Sequence, residues 1–144
     1  SDLYKTILVP IDIEEDLLTE HALKHVEYLA KLSGAKVHFF HALPDASAFV
    51  TAYSFGLKEF ENQAEVKAVD KLKKIMSEID LPLDRLNYTV SFGSARDQVL
   101  ELAEEIDADL IIIGSRRPSV KTYLLGSNAA AIVRHANISV MVVR

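Results

Sequence analysis

The sequence predicts an α/β protein built on an open, doubly wound parallel sheet of five strands, with helices on both faces. Short apolar runs of strand-forming residues alternate along the chain with longer segments in which apolar residues recur every three to four positions. This alternation is typical of parallel strands joined by right-handed helical crossovers. A chain of 144 residues is long enough to bury one core, so we expect a single domain over residues 1–144.

The composition predicts a soluble, cytoplasmic protein. Hydrophobic residues make up 49% and charged residues 26% of the chain, and no apolar run approaches the roughly 18 residues of a membrane span, so no membrane partner is expected. The absence of cysteine removes disulfides and thiolate chemistry and fits a reducing cytoplasm. No charged-then-apolar leader is present, so secretion is not expected. A net charge of −5 with scattered signs argues against a nucleic-acid partner.

The first strand is predicted at residues 6–11, an apolar run of β-formers. Pro10 cannot donate a hydrogen bond to a sheet ladder, and it therefore belongs at the end of the strand. This placement puts Ile11 and Asp12 just beyond the carboxyl end of that strand.

The first helix is predicted from Asp16 to Ser33, with apolar residues on one face and charged residues on the other. Gly34 follows in the position where a helix ends with a positive φ. The second strand is predicted at residues 37–43. The inward face of the helix comprises Ala22, Leu23, Val26, Leu29 and Ala30.

Residues 45–57 carry aromatic side chains without a clear period. This pattern predicts a long loop or irregular helix that packs on the domain, covers a ligand or meets a partner. A long helix follows from Lys58, and Asp80 and Pro82 end it. Its inward stripe comprises Phe60, Ala64, Ala68, Leu72, Ile75 and Ile79.

The third strand, at residues 86–92, alternates apolar and polar residues, which indicates one solvated face and a place at the edge of the sheet. Ser94 and Asp97 resemble a capping box and predict the start of a third helix. The inward residues of that helix are Val99, Leu102, Ala103 and Ile106.

Residues 110–113 are continuously apolar, which predicts a central strand covered on both faces. Ser127 is expected to cap a fourth helix that runs to about His135. The last strand is predicted at Ser139–Val143, and its apolar run would be an aggregation hazard at an open sheet edge. We therefore expect a second copy of the chain to cover it, which gives a homodimer.

The segment between the fourth strand and the fourth helix is the strongest functional signal. Gly114 ends the strand, basic residues follow, and Gly126, Ser127 and Asn128 lead into the helix. Main-chain amides at a helix start, beside glycines that allow close approach, suit a phosphate group. The segment matches neither the P-loop nor the G-x-G-x-x-G motif, so the residues alone leave phosphate binding and a purely structural strand exit open. If strands one and four are neighbours, Asp12 and Gly114 face each other where such sheets bind ligands.

The histidines favour structural roles. His21 and His25 have the spacing of a metal pair but no third ligand nearby, so a solvated helix surface is favoured over a metal site. His38 and His41 lie an odd number of residues apart and point to opposite faces of their strand. His135, near a helix end, suits the dipole of that helix.

The chain resembles the universal stress protein family, most closely its small ATP-binding F type. The resemblance is carried by Thr-Ile-Leu-Val-Pro-Ile-Asp at positions 6–12, Ala-Leu-Lys-His-Val at 22–26, His-Ala at 41–42, and Ile-Ile-Ile-Gly-Ser leading to Leu-Leu-Gly-Ser-Asn-Ala-Ala. It covers the whole chain. It implies the strand order 3-2-1-4-5 and a homodimer formed through the last strand, Ser139–Val143.

The resemblance also implies an ATP site. The family motif is Gly, two residues, Gly, nine residues, Gly and then Ser or Thr. Gly114, Gly126 and Ser127 match it, but Arg117 stands at the middle glycine, with only eight residues before Gly126. We expect the guanidinium of Arg116 or Arg117 to replace a backbone contact with phosphate. The implied residues on the phosphate side are Gly114, Ser115, Arg116, Arg117, Gly126, Ser127 and Asn128.

On the adenosine side the resemblance implies Pro10, Ile11 and Asp12, with Asp12 near the ribose. Ala42 corresponds to a position whose main chain recognises adenine. A Mg²⁺ ion that accompanies ATP would be held mainly by phosphate oxygens and water. No side chain of the protein is therefore expected to bind the metal directly.

These features predict an ATP-binding regulatory protein of the stress response, in which the nucleotide is a bound signal more than a substrate. No nucleophile with an adjacent base is evident, so at most slow hydrolysis is expected. One alternative is a dimerisation module that no longer binds ATP, which Arg117 at the middle glycine position leaves open. Another is a weak nucleotide hydrolase, although the phosphate motifs of related adenine-nucleotide enzymes are missing. A receiver domain is set aside, because the third strand ends without an aspartate to phosphorylate.

Overall fold

Strands and helices alternate along the chain, as predicted. The computed structural model describes residues 3–11, 16–44, 54–114 and 127–144. The strands are β1 (Thr6–Pro10), β2 (Lys36–Leu43), β3 (Leu86–Phe92), β4 (Leu110–Gly114) and β5 (Ser139–Val143). The helices are α1 (Asp16–Ser33), α2 (Ser54–Glu78), α3 (Ala95–Glu105) and α4 (Ser127–His135), and a short 3₁₀ helix (Leu83–Arg85) precedes β3.

In the described part of the chain the strands form a parallel sheet in the order β3-β2-β1-β4-β5. This confirms the predicted fold class and strand order. The central strand β1 pairs with β2 along its whole length, up to Pro10↔Phe40. With β4, its described pairs are Ile7↔Leu110 and Leu8↔Ile111. The β1–β4 ladder therefore stops two residues before β1 ends, at the point where the strand order reverses.

Helices cover the sheet on both faces. On one face α1 and α2 pack against Ile7 and Val9 of β1, and on the other α3 and α4 pack against Leu8. Residues 110–113 of β4 are each at most 4% exposed, which confirms the prediction of a central strand covered on both sides. The buried helical residues include Ala22, Val26 and Ala30 of α1, Leu72 and Ile75 of α2, Val99, Leu102 and Ala103 of α3, and Ile132 of α4.

Helix α2 starts earlier than predicted, at Ser54 instead of Lys58. Residues 45–53 of the predicted loop lie outside the described residues. Phe60, expected on the inward stripe, is 65% exposed, and full burial begins at Ala68. The reason is length: 25 helical residues span about 37 Å, whereas the 8 residues of β2 span about 26 Å. Neither α2 nor any other described helix is long and apolar enough to cross a membrane.

Two helix starts differ from the predicted caps. Ser94 precedes α3, but its side chain makes no capping hydrogen bond, so the predicted capping box is wrong. The aspartate at its third position is one methylene shorter than the glutamate of that motif, and Asp97 Oδ1 lies 3.5 Å from Arg96 Nε instead. Ser127 is the first residue of α4, so the capping position itself falls before the described residues resume.

The turn between α1 and β2 is fixed by a glycine and an arginine. Gly34 has a φ of +79°, which confirms the predicted helix end and favours a residue without Cβ. The Nη2 group of Arg85 donates to the carbonyls of Ala30 at 2.6 Å and Ala35 at 2.8 Å, and its Nε donates to Ala35 at 3.1 Å. The last carbonyls of a helix have no donor within the helix, so Arg85 completes the carboxyl end of α1.

Asp109 joins β1 to β4 at the amino-terminal edge of the sheet. Its Oδ2 accepts hydrogen bonds from the N–H groups of Lys5 at 2.7 Å and Thr6 at 2.9 Å. Its own N–H donates to the Thr6 carbonyl at 2.8 Å. The two central strands are thus tied together at the amino-terminal edge of the sheet, whereas their ladder ends before the carboxyl edge.

Candidate functional site

The candidate site lies at the carboxyl edge of the sheet, where β1, β2 and β4 end. Pro10 is the last residue of β1, Gly114 is the last of β4, and Ala42 is the last but one of β2. Ile11 follows Pro10 and is buried. The predicted site residues Asp12, Ser115, Arg116, Arg117 and Gly126 lie outside the described residues.

The hydrogen-bonded ladder between β1 and β4 ends before this edge. Their last pair is Leu8↔Ile111, although β4 continues to Gly114. Because the Ile11 N–H bonds to β2, the alternation of the strand turns the nitrogen of Pro10 towards β4, and proline has no N–H to continue that ladder. The carboxyl edge of the sheet, at the point where the strand order reverses, is the place where open α/β sheets bind ligands. The prediction that strands one and four are neighbours is confirmed.

The main-chain N–H and C=O groups of Ala42 point to the β1 side of β2. In a parallel sheet, successive residues direct their N–H and C=O groups alternately to the two neighbouring strands. The Phe40 carbonyl accepts from Ile11 on the β1 side, and the Leu43 carbonyl accepts from Gly93 on the β3 side. Ala42 is in phase with Phe40, so its N–H and C=O face the β1 side, two residues past the last β1–β2 pair.

Ile11 is fixed to β2 through both of its main-chain groups. Its N–H donates to the Phe40 carbonyl at 2.7 Å, and its carbonyl oxygen lies 2.8 Å from Nδ1 of His41. The sequence does not predict this contact. The spacing of His38 and His41 shows only that the two side chains lie on opposite faces of the strand. The signal that points to it is position, because His41 immediately precedes Ala42 near the carboxyl end of an inner strand.

The amino end of helix α4 is directed towards the carboxyl edge of the sheet, because the helix runs back to the start of the parallel strand β5. Ser127 and Asn128 occupy its first turn and are exposed. The first amides of a helix have no carbonyl partner within the helix and form the positive end of its dipole. The first turn carries no acidic residue, whereas Arg134 and His135 lie in the last turn. The amino end of α4 is therefore suited to an anion, and its carboxyl end to the cations that it carries.

The remaining histidines lie away from this edge or face other partners. His21 and His25 make an edge-to-face contact with ring centroids 5.5 Å apart on the exposed side of α1. Among the described residues, no group of three or more potential ligands could hold a metal ion. His38 Nε2 lies 2.7 Å from Thr89 Oγ1, and burial lowers the pKa of His38.

Comparisons of the sequence connect this geometry to known proteins. The model of the "Universal stress protein family" matches residues 3–144. The chain is similar to universal stress protein G of Escherichia coli O157:H7, with 43% identity over 143 residues, which are 99% of this chain and 100% of that protein. The family expected from the sequence motifs is confirmed, but the F type is not supported, because the relatives at 41–43% identity are of the G type.

Solved structures share the fold. The universal stress protein UspA from Lactobacillus plantarum superposes with a TM-score of 0.83 at 22% identity, covering 98% of each chain. The universal stress protein from Archaeoglobus fulgidus in complex with dAMP superposes with a TM-score of 0.68 at 22% identity, covering 99% of each chain. At this level of identity the likeness concerns the fold alone.

Proposed function

Because the chain belongs to the universal stress protein family, we propose that it is an ATP-binding regulatory module of the stress response. The observation that carries the proposal is the end of the β1–β4 ladder at Leu8↔Ile111, at the carboxyl edge where the strand order reverses. In this proposal Gly114 and the start of α4 border the ligand at that edge. The groups available there bind and orient an anion, so the nucleotide acts as a bound signal with at most slow hydrolysis.

The phosphates are proposed to lie between the end of β4 and the start of α4. Gly114 allows close approach of the main chain, and the Ser127 hydroxyl and the Asn128 amide donate hydrogen bonds at the positive end of the helix. Arg116 or Arg117 supplies a guanidinium that binds phosphate oxygens. A Mg²⁺ ion is held by phosphate oxygens and water, as is usual for this ion. Ser115 and Gly126 complete the proposed phosphate side.

The adenosine part is proposed to lie along the ends of β1 and β2. The N–H and C=O of Ala42 face this side of the sheet, and one donor with one acceptor matches the hydrogen-bonding edge of adenine. Pro10 and Ile11 offer apolar contacts, and Asp12 accepts a hydrogen bond from the ribose. That a protein of the same fold is solved with dAMP supports an adenine nucleotide as the ligand class.

The decisive experiment identifies what the purified protein carries. The freshly purified protein is denatured, the released small molecules are identified by mass spectrometry, and MgATP is titrated into nucleotide-free protein by calorimetry. We expect an adenine nucleotide in the first measurement and saturable binding in the second. Protein that releases no nucleotide and shows neither heat nor a thermal shift with ATP would instead be a dimerisation module, the alternative that Arg117 leaves open.

Ser127→Ala is predicted to weaken ATP binding about tenfold, because one hydrogen bond to a charged oxygen is lost. The matched control is Ser94→Ala, since Ser94 is also an exposed serine at a helix start but makes no capping hydrogen bond. Calorimetry on both variants gives the comparison. Equal affinities for the two variants would exclude the proposed role of Ser127.

Arg117→Ala tests whether the arginine side chain binds phosphate at the position where the family motif has a glycine. We expect weaker binding of ATP and a smaller effect on AMP, which lacks the outer phosphates that a guanidinium would bind. If Arg117→Ala keeps the affinity of the natural chain while Ser127→Ala loses it, the contact proposed for the arginine does not exist.

We also propose that the chain forms a homodimer through β5 in the cytoplasm. β5 is the last strand in the sheet order, and Val140, Met141 and Val142 are only half-buried there. Pairing with a second copy would cover this apolar edge.

A further inference from the structure

We infer that His41 is a positioning residue of the nucleotide site: its ring holds the Ile11 carbonyl, so that the chain leaves β1 in the direction the ligand requires. This inference rests on the nucleotide binding proposed above. It concerns a side chain that does not itself need to touch the nucleotide.

The geometry fixes which ring nitrogen carries the proton. The Nδ1 atom of His41 lies 2.8 Å from the carbonyl oxygen of Ile11. A carbonyl oxygen only accepts hydrogen bonds, so Nδ1 must be the donor. In the neutral ring the proton therefore sits on Nδ1, and Nε2 carries the lone pair.

The contact replaces a missing step of the sheet ladder. After the Ile11 N–H bonds to the Phe40 carbonyl at 2.7 Å, a regular parallel ladder would next join the Ile11 carbonyl to the N–H of Ala42. The His41 ring supplies a donor for that carbonyl instead. Within the described part of the chain, the N–H of Ala42 is then not used by the sheet, and it faces the side proposed for adenine.

Because Ile11 is buried, loss of its contact with His41 would affect the site. Ile11 is 6% exposed and belongs to the core between the sheet and α1 and α2. A buried carbonyl without a donor is unfavourable, so loss of the ring would favour rearrangement of Ile11. The next residue is Asp12, which is proposed to bind the ribose, and a shift at Ile11 is transmitted directly to it.

The same strand offers a matched control. His38 is also half-buried on β2, but it lies on the opposite face of the strand and its Nε2 contacts Thr89 Oγ1 at 2.7 Å. Replacement of His38 therefore removes an imidazole of similar burial without affecting the Ile11 carbonyl.

The test compares His41→Ala, His41→Phe, His41→Asn and His38→Ala by calorimetry with MgATP and by urea unfolding without ligand. We expect about tenfold weaker binding for His41→Ala, the ratio that corresponds to loss of one hydrogen bond. His41→Phe fills the space without a donor and should bind as weakly. The amide nitrogen of asparagine takes nearly the place of Nδ1, so His41→Asn should restore most of the affinity. His38→Ala should bind within about twofold of the natural chain, a difference that corresponds to a few tenths of a kcal/mol.

A spectroscopic measurement separates this inference from the proposed function. Nitrogen-15 NMR of the natural chain at neutral pH reports the tautomer of each histidine, and the proton of His41 should be found on Nδ1. If the natural chain binds no ATP, both the proposed function and the positioning role are overturned, while the tautomer still decides whether the contact exists. If it binds ATP but His41→Phe binds equally well, or if the proton lies on Nε2, only the role of His41 is overturned.

Discussion

His38 and His41 both lie on β2, but their side chains occupy different environments. The ring of His41 bonds to a main-chain carbonyl at the candidate site, whereas the ring of His38 bonds to a threonine hydroxyl on the other face of β2. Burial lowers the pKa of His38 below its ordinary value of 6.5, because the charged imidazolium is poorly solvated there. Protonation of His38 is therefore coupled to unfolding.

His38→Gln is predicted to reduce the acid sensitivity of folding. The unfolded chain takes up the proton near pH 6.5, whereas the folded chain resists it until a lower pH. The contribution of His38 is therefore fully present above pH 6.5 and is lost as the pH falls towards the lowered pKa of the folded state. Urea unfolding at several pH values between about 5 and 8 should show a shallower decline for the variant. The exposed His25, replaced by Gln, serves as the control, and a decline as steep as that of the natural chain would exclude this role of His38.

At the scale of single residues, the sequence predicts where a strand or helix ends but not which side chains are in contact. Pro10 at a strand end and Gly34 at a helix end are confirmed, because proline and glycine restrict their own backbone whatever surrounds them. The contact of His41 with Ile11 joins residues 30 positions apart in the sequence and depends on the register between β1 and β2. Side-chain contacts of this kind are set by the assembled sheet and have no local pattern.

The turn that joins α1 to β2 illustrates how elements stabilise one another. Its sequence contains the signal of a helix end, and Gly34 supplies the positive φ. The hydrogen bonds that complete the turn come from Arg85, which lies 50 and 55 residues further along the chain. The end of α1 and the start of β3 therefore form one structural unit.

Arg85→Ala is predicted to lower the free energy of unfolding by about 2 kcal/mol, since a charged donor that serves two partly buried carbonyls is removed. Arg85→Lys should recover only part of the loss, because a lysine ammonium cannot reproduce the planar arrangement of two donors. The measurement is urea unfolding of both variants. Arg96→Ala, which removes an exposed arginine beside Asp97, is the control and should change stability little. A similar loss for the Arg85 and Arg96 variants would contradict the capping role.

The existence and type of each strand and α-helix follow from the hydrophobic pattern, whereas the start of α2 and the capping contact of α3 do not. Helix α2 begins before its apolar stripe does, because its first turns extend past the sheet and need no apolar face towards it. Helix α3 starts after Ser94, as predicted, but the Ser94 side chain makes no capping hydrogen bond, and Asp97 lies beside Arg96. Helix ends depend on such local competition between hydrogen bonds, which a pattern of apolar residues does not record.

The whole molecule presents one edge strand with an apolar sequence and another with polar residues. β3 ends the sheet on one side with alternating residues, as predicted, while β5 ends it on the other with Val140, Met141 and Val142 in succession. An apolar edge strand pairs readily with another chain. The asymmetry of the two edges favours a dimer joined at β5 only.

Met141→Lys is predicted to convert the proposed dimer into a monomer. A two-fold axis at β5 would bring the same strand of both copies together, so the substitution places two like charges near each other at an apolar edge. Sedimentation at micromolar concentration measures the change, and circular dichroism shows that the fold is kept. Met141→Leu, which preserves the apolar contact, should remain dimeric. A natural chain that is monomeric under these conditions would exclude the dimer.

At this scale the topology was the most predictable property. Alternation of strands and helices leaves few arrangements, and the continuously apolar β4 can only lie inside the sheet. The strand order itself followed from the family resemblance. The location of the candidate site was predictable, since parallel strands end at one edge of the sheet. The segment proposed to bind phosphate falls outside the described residues.

The central position of β1 has a consequence for the order of events during synthesis. Asp109 and β4 lie more than a hundred residues after β1, as the 103-residue separation of Thr6 and Asp109 shows. On the ribosome, β1, β2 and β3 can assemble as they emerge. The β4 side of β1 has no partner until β4 is synthesised, roughly 5 to 20 s after β1 at ordinary rates of translation. A nascent chain therefore carries an open, apolar strand edge for most of its synthesis, and the step that closes this edge also completes the part of the sheet proposed to hold the nucleotide.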